Sequence, residues 1–142
     1  MESISQLLDL KGHNVWSVKP QDQVFEAIRV MAEKGVGALL VIDNGRLAGI
    51  VSERDYARKV ILVGKSSKST HVEDIMTSNP VTVTPQQSVD ECLSIMTARR
   101  FRHLPVVDGD EVVGVLSLGD LVKSIIDDQK HQIDSLEQYI SG

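Results

Sequence analysis

Residues 37–55 read GALLVIDNGRLAGIVSERD, and residues 102–120 read RHLPVVDGDEVVGVLSLGD. Each stretch contains two apolar runs separated by a turn rich in aspartate and glycine, residue types that tolerate positive φ. The pattern predicts two β-hairpins, each followed at once by a helix that begins near a serine. Because the two stretches share their order and spacing without a gap, the sequence predicts a duplicated fold.

The similarity between the two halves extends upstream of the hairpins. Residues 17–55 align with residues 82–120 at a constant offset of 65. In each copy a short extended piece ends at Pro20 or Pro85, and a helix follows whose apolar residues recur at helical spacing. The helical positions are Val24, Ala27, Ile28 and Met31, and Val89, Cys92, Leu93 and Met96. We therefore predict an α+β fold with two β-α-β-β-α repeats packed about a pseudo-two-fold axis.

The rest of the chain divides around these two copies. The predicted divisions are an N-terminal segment over 1–14, a first repeat over 15–70, a second repeat over 71–130 and a C-terminal helical extension over 131–142. Past Asp120 the helical pattern continues with no proline or glycine before Gly142, and its later apolar residues extend beyond the core of one chain. Since an exposed apolar stripe usually marks an interface, we expect a homodimer.

Composition narrows the class of protein. A net charge of −5 and only 4% aromatic residues argue against generic nucleic-acid binding. The single cysteine, Cys92, excludes an intramolecular disulfide and is expected to lie inertly in the core. The four histidines are dispersed without metal-ligand spacing, so no zinc site is predicted. The polar start and the lack of a long apolar run predict a cytoplasmic protein without membrane contact.

Both hairpins end in the pattern strand, Ser-x-x-Asp, helix, formed by Ser52 with Asp55 and by Ser117 with Asp120. One reading is structural, because serine at the N-cap and aspartate three residues on form a capping pair worth about 1 kcal/mol. The other reading is functional, because a helix N-terminus can bind phosphate and a carboxylate can accept hydrogen bonds from two ribose hydroxyls. The spacing alone leaves both readings open.

The order, spacing and duplication together resemble a tandem pair of cystathionine-β-synthase (CBS) domains, the arrangement called a Bateman module. The resemblance covers roughly residues 10–130, includes the DIMT segment before the second copy, and points to small stand-alone CBS-pair proteins. It implies a module that binds adenosine-containing ligands and commonly dimerises into a flat disc of four domains. It also implies that Asp55 and Asp120 bind ribose and that Ser52 and Ser117 lie on the phosphate side.

The two copies differ beside this shared pattern. The second copy has Arg102 and His103 where the first has Gly37 and Ala38. The resemblance implies that the arginine and the histidine reach ligand phosphates, a role that suits the permanently charged guanidinium. A solvated strand edge is the alternative for both. In the first copy, Arg54 is a candidate to close the corresponding ligand cleft, with a solvated surface charge as the alternative.

Adenine contacts are expected from apolar residues near each pattern. Ile50 and Val115 lie at matching strand positions, and Trp16 in the first copy matches Val81 in the second. For Trp16, burial in the core or in a dimer is the alternative. The full set of candidate nucleotide-binding residues is Trp16, Ala38, Ile50, Ser52, Arg54, Asp55, Val81, Arg102, His103, Val115, Ser117 and Asp120.

Three functions compete. The leading one is a non-enzymatic adenosine-nucleotide sensor whose ligand binds in clefts between the two repeats and whose downstream protein partner the sequence does not specify. The alternative is a dimerising protein-interaction module with vestigial ligand clefts. A small nucleotide hydrolase is the third, but no paired carboxylates or base-activated nucleophile are visible. Because basic residues are few, AMP or NAD is favoured over a triphosphate; ATP, ADP and S-adenosylmethionine remain candidates, without a metal.

Overall fold

The polypeptide forms two compact units that do not simply follow the order of the chain. The computed structural model describes residues 3–141, the side chain of Ser141 excepted. Residues Asn14–Val81 form one unit, called here the first-repeat unit. Residues up to His13 join those from Thr82 onward in the other, the second-repeat unit. Each unit contains one copy of the sequence repeat.

Helices and strands alternate in each unit, which confirms the predicted α+β class. The helices are α1 (Ile4–Lys11), α2 (Val24–Lys34), α3 (Glu53–Tyr56), α4 (Val89–Arg99) and α5 (Leu118–Ser141). The strands are β1 (Ser17–Val18), β2 (Ala38–Asp43), β3 (Arg46–Ser52), β4 (Thr77–Ser78), β5 (His103–Asp108) and β6 (Glu111–Ser117). Two shorter segments are a π-helical turn at Ala57–Ile61 and a 3₁₀ turn at Val72–Asp74.

The two predicted hairpins are present and pair in the same register. β2 and β3 are antiparallel with Ala38 opposite Ser52, and β5 and β6 are antiparallel with His103 opposite Ser117. Each hairpin has one register irregularity at the same position of the repeat. The matching register brings the start of the first strand beside the serine that ends the second, in both units.

The extended piece upstream of each hairpin differs between the units. In the first-repeat unit, β1 lies parallel to β2 and pairs Val18 with Val41. In the second-repeat unit, the matching contact is a single parallel bridge between Val83 and Val106. The extended pieces predicted before Pro20 and Pro85 therefore both lie beside their hairpins, the second through an isolated bridge.

The predicted apolar faces of α2 and α4 are buried. The fully buried members are Val24, Ala27 and Met31 in α2, and Val89, Cys92 and Met96 in α4. Ser88 begins α4 and accepts a hydrogen bond from the N–H of Glu91 at 3.1 Å. Burial, with a smaller contribution from Glu91, raises the pKa of the Cys92 thiol to about 11, so the thiol is uncharged at neutral pH.

Helix α1 completes the second-repeat core. Its apolar residues Ile4, Leu7 and Leu8 are 0, 6 and 1% exposed, so the N-terminal segment forms a helix with one buried apolar face. A capping box fixes where it begins. The hydroxyl of Ser3 accepts from the N–H of Gln6 at 3.3 Å, and the N–H of Ser3 donates to the side chain of Gln6 at 2.9 Å.

The segment that begins at His71 holds in the first-repeat unit the place that α1 holds in the second. Ser3 forms an antiparallel bridge with Ser88, and His71 forms one with Gln23. Gln23 and Ser88 are equivalent positions of the repeat. Because Val72–Asp74 and its neighbours bury apolar side chains in the first-repeat core, the chain from residue 71 to 81 stays with the first repeat. The boundary predicted at residue 71 follows the sequence repeat, whereas the packing places residues 71–81 with the first repeat.

The long C-terminal helix predicted from the sequence is α5, with 24 residues. Leu121 and Ser124 near its start are 0 and 4% exposed. Every residue from Gln129 to Ile140 is exposed. The first part of α5 therefore packs on its unit and the second part projects from it. None of the helices within residues 3–141 is long and apolar enough to cross a membrane.

Candidate functional site

Ser52 and Asp55, called here the first frame, form a reciprocal cap at the start of α3. Ser52 has extended backbone (φ −128°, ψ 167°), and its hydroxyl accepts the N–H of Asp55 at 3.2 Å. Oδ2 of Asp55 accepts the N–H of Ser52 at 2.9 Å and its hydroxyl at 3.1 Å. The structural reading of the Ser-x-x-Asp pattern is thus realised here.

Ser117 and Asp120, the second frame, repeat this arrangement at the start of α5. Oδ2 of Asp120 accepts the N–H of Ser117 at 2.8 Å, and the hydroxyl of Ser117 accepts the N–H of Asp120 at 3.1 Å. Both serines and both aspartates are half-buried. The second frame therefore presents the same groups, at the same depth, as the first.

The start of the neighbouring strand completes each frame. The carbonyl of Gly37 accepts the N–H of Glu53 at 3.1 Å, and the carbonyl of Arg102 accepts the N–H of Leu118 at 2.8 Å. His103 lies directly opposite Ser117 in the hairpin. The structure therefore brings the predicted residues of the second copy together with Ser117, and the equivalent position, Ala38, together with Ser52.

Capping leaves hydrogen-bonding capacity on each carboxylate. The cap engages Oδ2 of the aspartate and does not engage Oδ1. In the first frame Oδ1 of Asp55 lies 3.4 Å from Nζ of Lys59. An ionised carboxylate offers about four lone-pair positions, so each aspartate can cap its helix and still accept hydrogen bonds from a ligand. The two readings of the pattern are compatible.

A lysine that sequence reasoning missed reaches the second frame. Nζ of Lys11, at the end of α1, lies 2.7 Å from Oδ2 of Asp120 and donates to the carbonyl of Val115. Lys11 and Val115 are 104 positions apart in the chain, and no local pattern links them. Lys59 plays a similar part in the first frame, because Nζ also donates to the carbonyl of Ile75 at 2.9 Å.

Burial and neighbouring charges both shift the pKa values of the groups in the second frame. Burial alone would raise the pKa of Asp120, but the hydrogen bonds from Lys11 and from Ser117 outweigh it and lower the pKa. The pKa of His103 is also lowered, chiefly by burial and then by the positive charges of Lys11 and Arg102, with Asp120 opposing them. At neutral pH the second frame therefore holds a carboxylate and a neutral imidazole.

The remaining predicted residues are less closely tied to the frames. Trp16 is 37% exposed, and Nζ of Lys34 lies 4.4 Å from the centre of its ring. Its carbonyl accepts the N–H of Leu40 at 3.2 Å, which places it beside β2. The half-buried residues with predicted ligand contacts are Ile50, Arg54, Val81 and Val115. Their contacts with a ligand remain predictions.

Within residues 3–141, no group of three or more histidine, cysteine, aspartate or glutamate side chains is placed to hold a metal ion. The ion pairs of the two frames are instead carboxylate to ammonium.

Replacing Lys11 with methionine tests the electrostatic description of the second frame. Because the folded-state pKa of Asp120 is lowered, its ionised form stabilises the fold above its ordinary pKa, and this is lost as the pH falls through the folded-state pKa. We expect Lys11→Met to lower the free energy of unfolding at pH 7 by up to about 1 kcal/mol, since the pair is partly exposed. The deficit should shrink toward pH 3.

Urea titrations at pH 7 and pH 3 measure this difference. Lys65→Met, which removes an exposed lysine outside both frames, is the matched control. A deficit for Lys11→Met that is equal at both pH values would mean that lost packing of α1, and not the Asp120 pair, is responsible.

Two α+β units, each with a Ser-x-x-Asp frame at the end of its hairpin, define a duplicated module. The sequence profile of the CBS domain matches the chain twice, over residues 9–62 and 72–127. The chain belongs to the CBS domain family, as the resemblance predicted. CBS-pair proteins of this kind are regulatory modules.

Proteins of known sequence or structure agree with this assignment. A CBS-domain protein from Burkholderia ambifaria MC40-6 is 53% identical, with a TM-score of 0.87 over 90% of this chain and 96% of that one. The mitochondrial CBS domain-containing protein CBSX3 of Arabidopsis thaliana is 39% identical over 150 residues, 99% of this chain and 72% of its own. CBSX2, whose crystal structure is in complex with AMP, is 26% identical in sequence to this chain. The TM-score is 0.73 over 91% of this chain and 99% of that one.

Proposed function

We propose that the chain is a non-enzymatic regulatory module that binds an adenosine nucleotide through its two frames. The observation that carries this proposal is the repeated placement of an aspartate that caps a helix through Oδ2 without engaging Oδ1, beside a lysine ammonium. One such aspartate is explained by capping alone. Two at equivalent positions, each beside a lysine ammonium, favour a ligand site in each unit.

The ribose is the part of the ligand that this arrangement fits. Two adjacent hydroxyls donate hydrogen bonds to one carboxylate, and charge-assisted hydrogen bonds of this kind are roughly twice as strong as neutral ones. Because Asp120 has a lowered pKa, it is fully ionised at neutral pH and accepts only. The reciprocal cap holds the carboxylate in place before the ligand arrives, which reduces the entropy lost on binding.

The phosphate side distinguishes the two frames. The second frame lies at the N-terminus of the 24-residue helix α5 and has Arg102, His103 and Lys11 nearby. The first frame begins the four-residue helix α3 and has Gly37 and Ala38 at the equivalent strand positions. We therefore assign the phosphate preferentially to the second frame.

AMP and NAD remain the favoured ligands. Their one or two phosphates match the few cations available, and CBSX2, a similar protein, binds AMP. ATP, ADP and S-adenosylmethionine are the other candidates. In this proposal Ile50, Val115 and Trp16 contact adenine, with Arg54 and Val81 at the edge of the sites. The placement of ligand in clefts between the repeats, the cytoplasmic location and the unknown downstream protein remain predictions from the sequence.

Calorimetric titration of the full chain tests the proposed function. AMP, NAD, ADP, ATP and S-adenosylmethionine are titrated in turn, with GMP as the matched control because it differs from AMP only in the base. We expect saturable binding of AMP or NAD and at least about tenfold weaker binding of GMP, since guanine changes the hydrogen-bonding edge of the base. The absence of binding by all five adenosine ligands would contradict the proposal.

The second candidate function is a dimerising interaction module. The exposed apolar residues of α5 favour it, because they lie outside both frames and do not depend on a ligand. Binding of nucleotide in the calorimetric titration separates the two functions, since an interaction module with vestigial sites does not bind.

A further inference from the structure

The apolar residues of α5 follow a coiled-coil pattern over most of its length. Positions spaced alternately by four and three residues fall on one stripe of the helix: Val122, Ile126, Gln129, Ile133, Leu136 and Ile140. The five apolar members are 43, 56, 56, 62 and 82% exposed in this order. Only Gln129 interrupts the stripe. The pattern is that of a helix whose partner is another helix.

The projecting part of α5 leaves its large apolar side chains open to solvent. Every residue from Gln129 to Ile140 is exposed. Most of the stability of a helix in a protein comes from packing an apolar face, so this part of α5 is expected to be stabilised by a partner. Its three large aliphatic side chains, Ile133, Leu136 and Ile140, can supply that face.

We infer that α5 pairs with α5 of a second copy of this chain in an antiparallel coiled coil. One antiparallel register aligns all six positions of the stripe. It pairs Val122 with Ile140 of the second copy, Ile126 with Leu136, and Gln129 with Ile133. The two-fold axis then passes near His131, and each pair occurs twice.

The flanking residues favour this orientation over a parallel one. In the antiparallel register Lys123 lies beside Glu137 of the second copy, and this pair also occurs twice. On the opposite flank, Ile125 lies beside Tyr139, which extends the apolar contact. Lys130 lies beside Lys130 of the second copy near the two-fold axis, at the solvent-exposed edge of the interface. A parallel pair would instead place Glu137 beside Gln132 and would form no opposite-charge pair.

The interface is tested by sedimentation equilibrium of the full chain at micromolar concentrations. We expect a dimer for the wild type. Replacing Ile133 and Leu136 with aspartate should weaken association at least about hundredfold, because it places four charges in the apolar stripe. The control Gln138→Asp adds a charge on the outer face and should leave the dimer intact. A monomeric wild type, or a double variant that still dimerises as tightly, would overturn the inference.

A charge exchange tests the orientation and register. Glu137→Lys should weaken the dimer about fivefold, since two surface ion pairs become like-charge pairs. Adding Lys123→Glu should restore it, whereas adding Lys130→Glu should not. If only Lys130→Glu restores the dimer, the two helices are shifted by one heptad from the proposed register. If neither change restores it, the helices do not pair in an antiparallel orientation. Either result overturns the proposed register. Far-UV circular dichroism confirms that each variant stays helical.

Discussion

Replacing Asp55 and Asp120 together with asparagine is expected to weaken AMP binding by about tenfold or more at each frame, with a loss of fold stability of at most about 1 kcal/mol per frame from the lysine pairs. The amide oxygen of asparagine can still accept the N–H of the capping serine, so the helix cap is kept. The charge is lost, and with it a charge-assisted hydrogen bond worth about 1.5–3 kcal/mol. Calorimetry measures the affinity, and urea titration measures the stability.

The control for this variant removes a cap that lies outside both frames. Ser88→Ala deletes the hydroxyl that caps α4 and should cost about 1 kcal/mol of stability while leaving AMP affinity unchanged. The two variants therefore separate the effects of stability and of binding. AMP affinity within about twofold of wild type in the double asparagine variant would remove both frames from the binding site.

Gly49→Ala is expected to destabilise the fold by about 2–3 kcal/mol, which is the largest stability effect predicted for a single methyl group here. A Cβ at Gly49 would lie 2.6 Å from the backbone oxygen of Thr77 and 2.7 Å from Sδ of Met76. The backbone oxygen belongs to β4, which pairs with β3, so it cannot move without breaking the sheet. Urea titration gives the free energy of unfolding.

The repeat provides a matched variant, because Gly114 is the equivalent residue of the second copy. A Cβ at Gly114 would lie 2.7 Å from Cδ2 of Leu8, which is the end of a flexible side chain. We expect Gly114→Ala to cost about 1 kcal/mol. Gly119→Ala, where the nearest atom is 3.6 Å away, should be neutral or stabilising by up to about 1 kcal/mol. A larger loss for Gly114→Ala than for Gly49→Ala would contradict the packing described for the two units.

The hairpins and the main helices could be predicted from the sequence because each is encoded locally. The hairpins follow from two apolar runs around a turn, and α2 and α4 follow from the spacing of their apolar residues. Comparison of the two copies identified Ser52, Asp55 and their counterparts, since charged residues that the copies do not share could be set aside. The length of α5 followed from an unbroken helical pattern.

What the sequence did not predict depends on contacts between distant parts of the chain. The packing of α1 against Gly114 and the approach of Lys11 to Asp120 join residues more than a hundred positions apart. Neither has a local signal, because the segment that fills the same place in the first-repeat unit follows its hairpin instead of preceding it. Similarly, the neutral state of His103 follows from burial and from neighbouring charges that only the fold brings together.

If Asp55 and Asp120 hold the ribose hydroxyls of an adenosine nucleotide, removing those hydroxyls from the ligand must weaken binding. The most direct test compares AMP with 2′,3′-dideoxy-AMP in a calorimetric titration of the wild-type chain. Since the two ligands share base and phosphate, we expect the dideoxy compound to bind at least about tenfold more weakly, and the double asparagine variant to bind both ligands about equally. Equal affinity of the wild-type chain for AMP and 2′,3′-dideoxy-AMP would contradict ribose binding by these two aspartates.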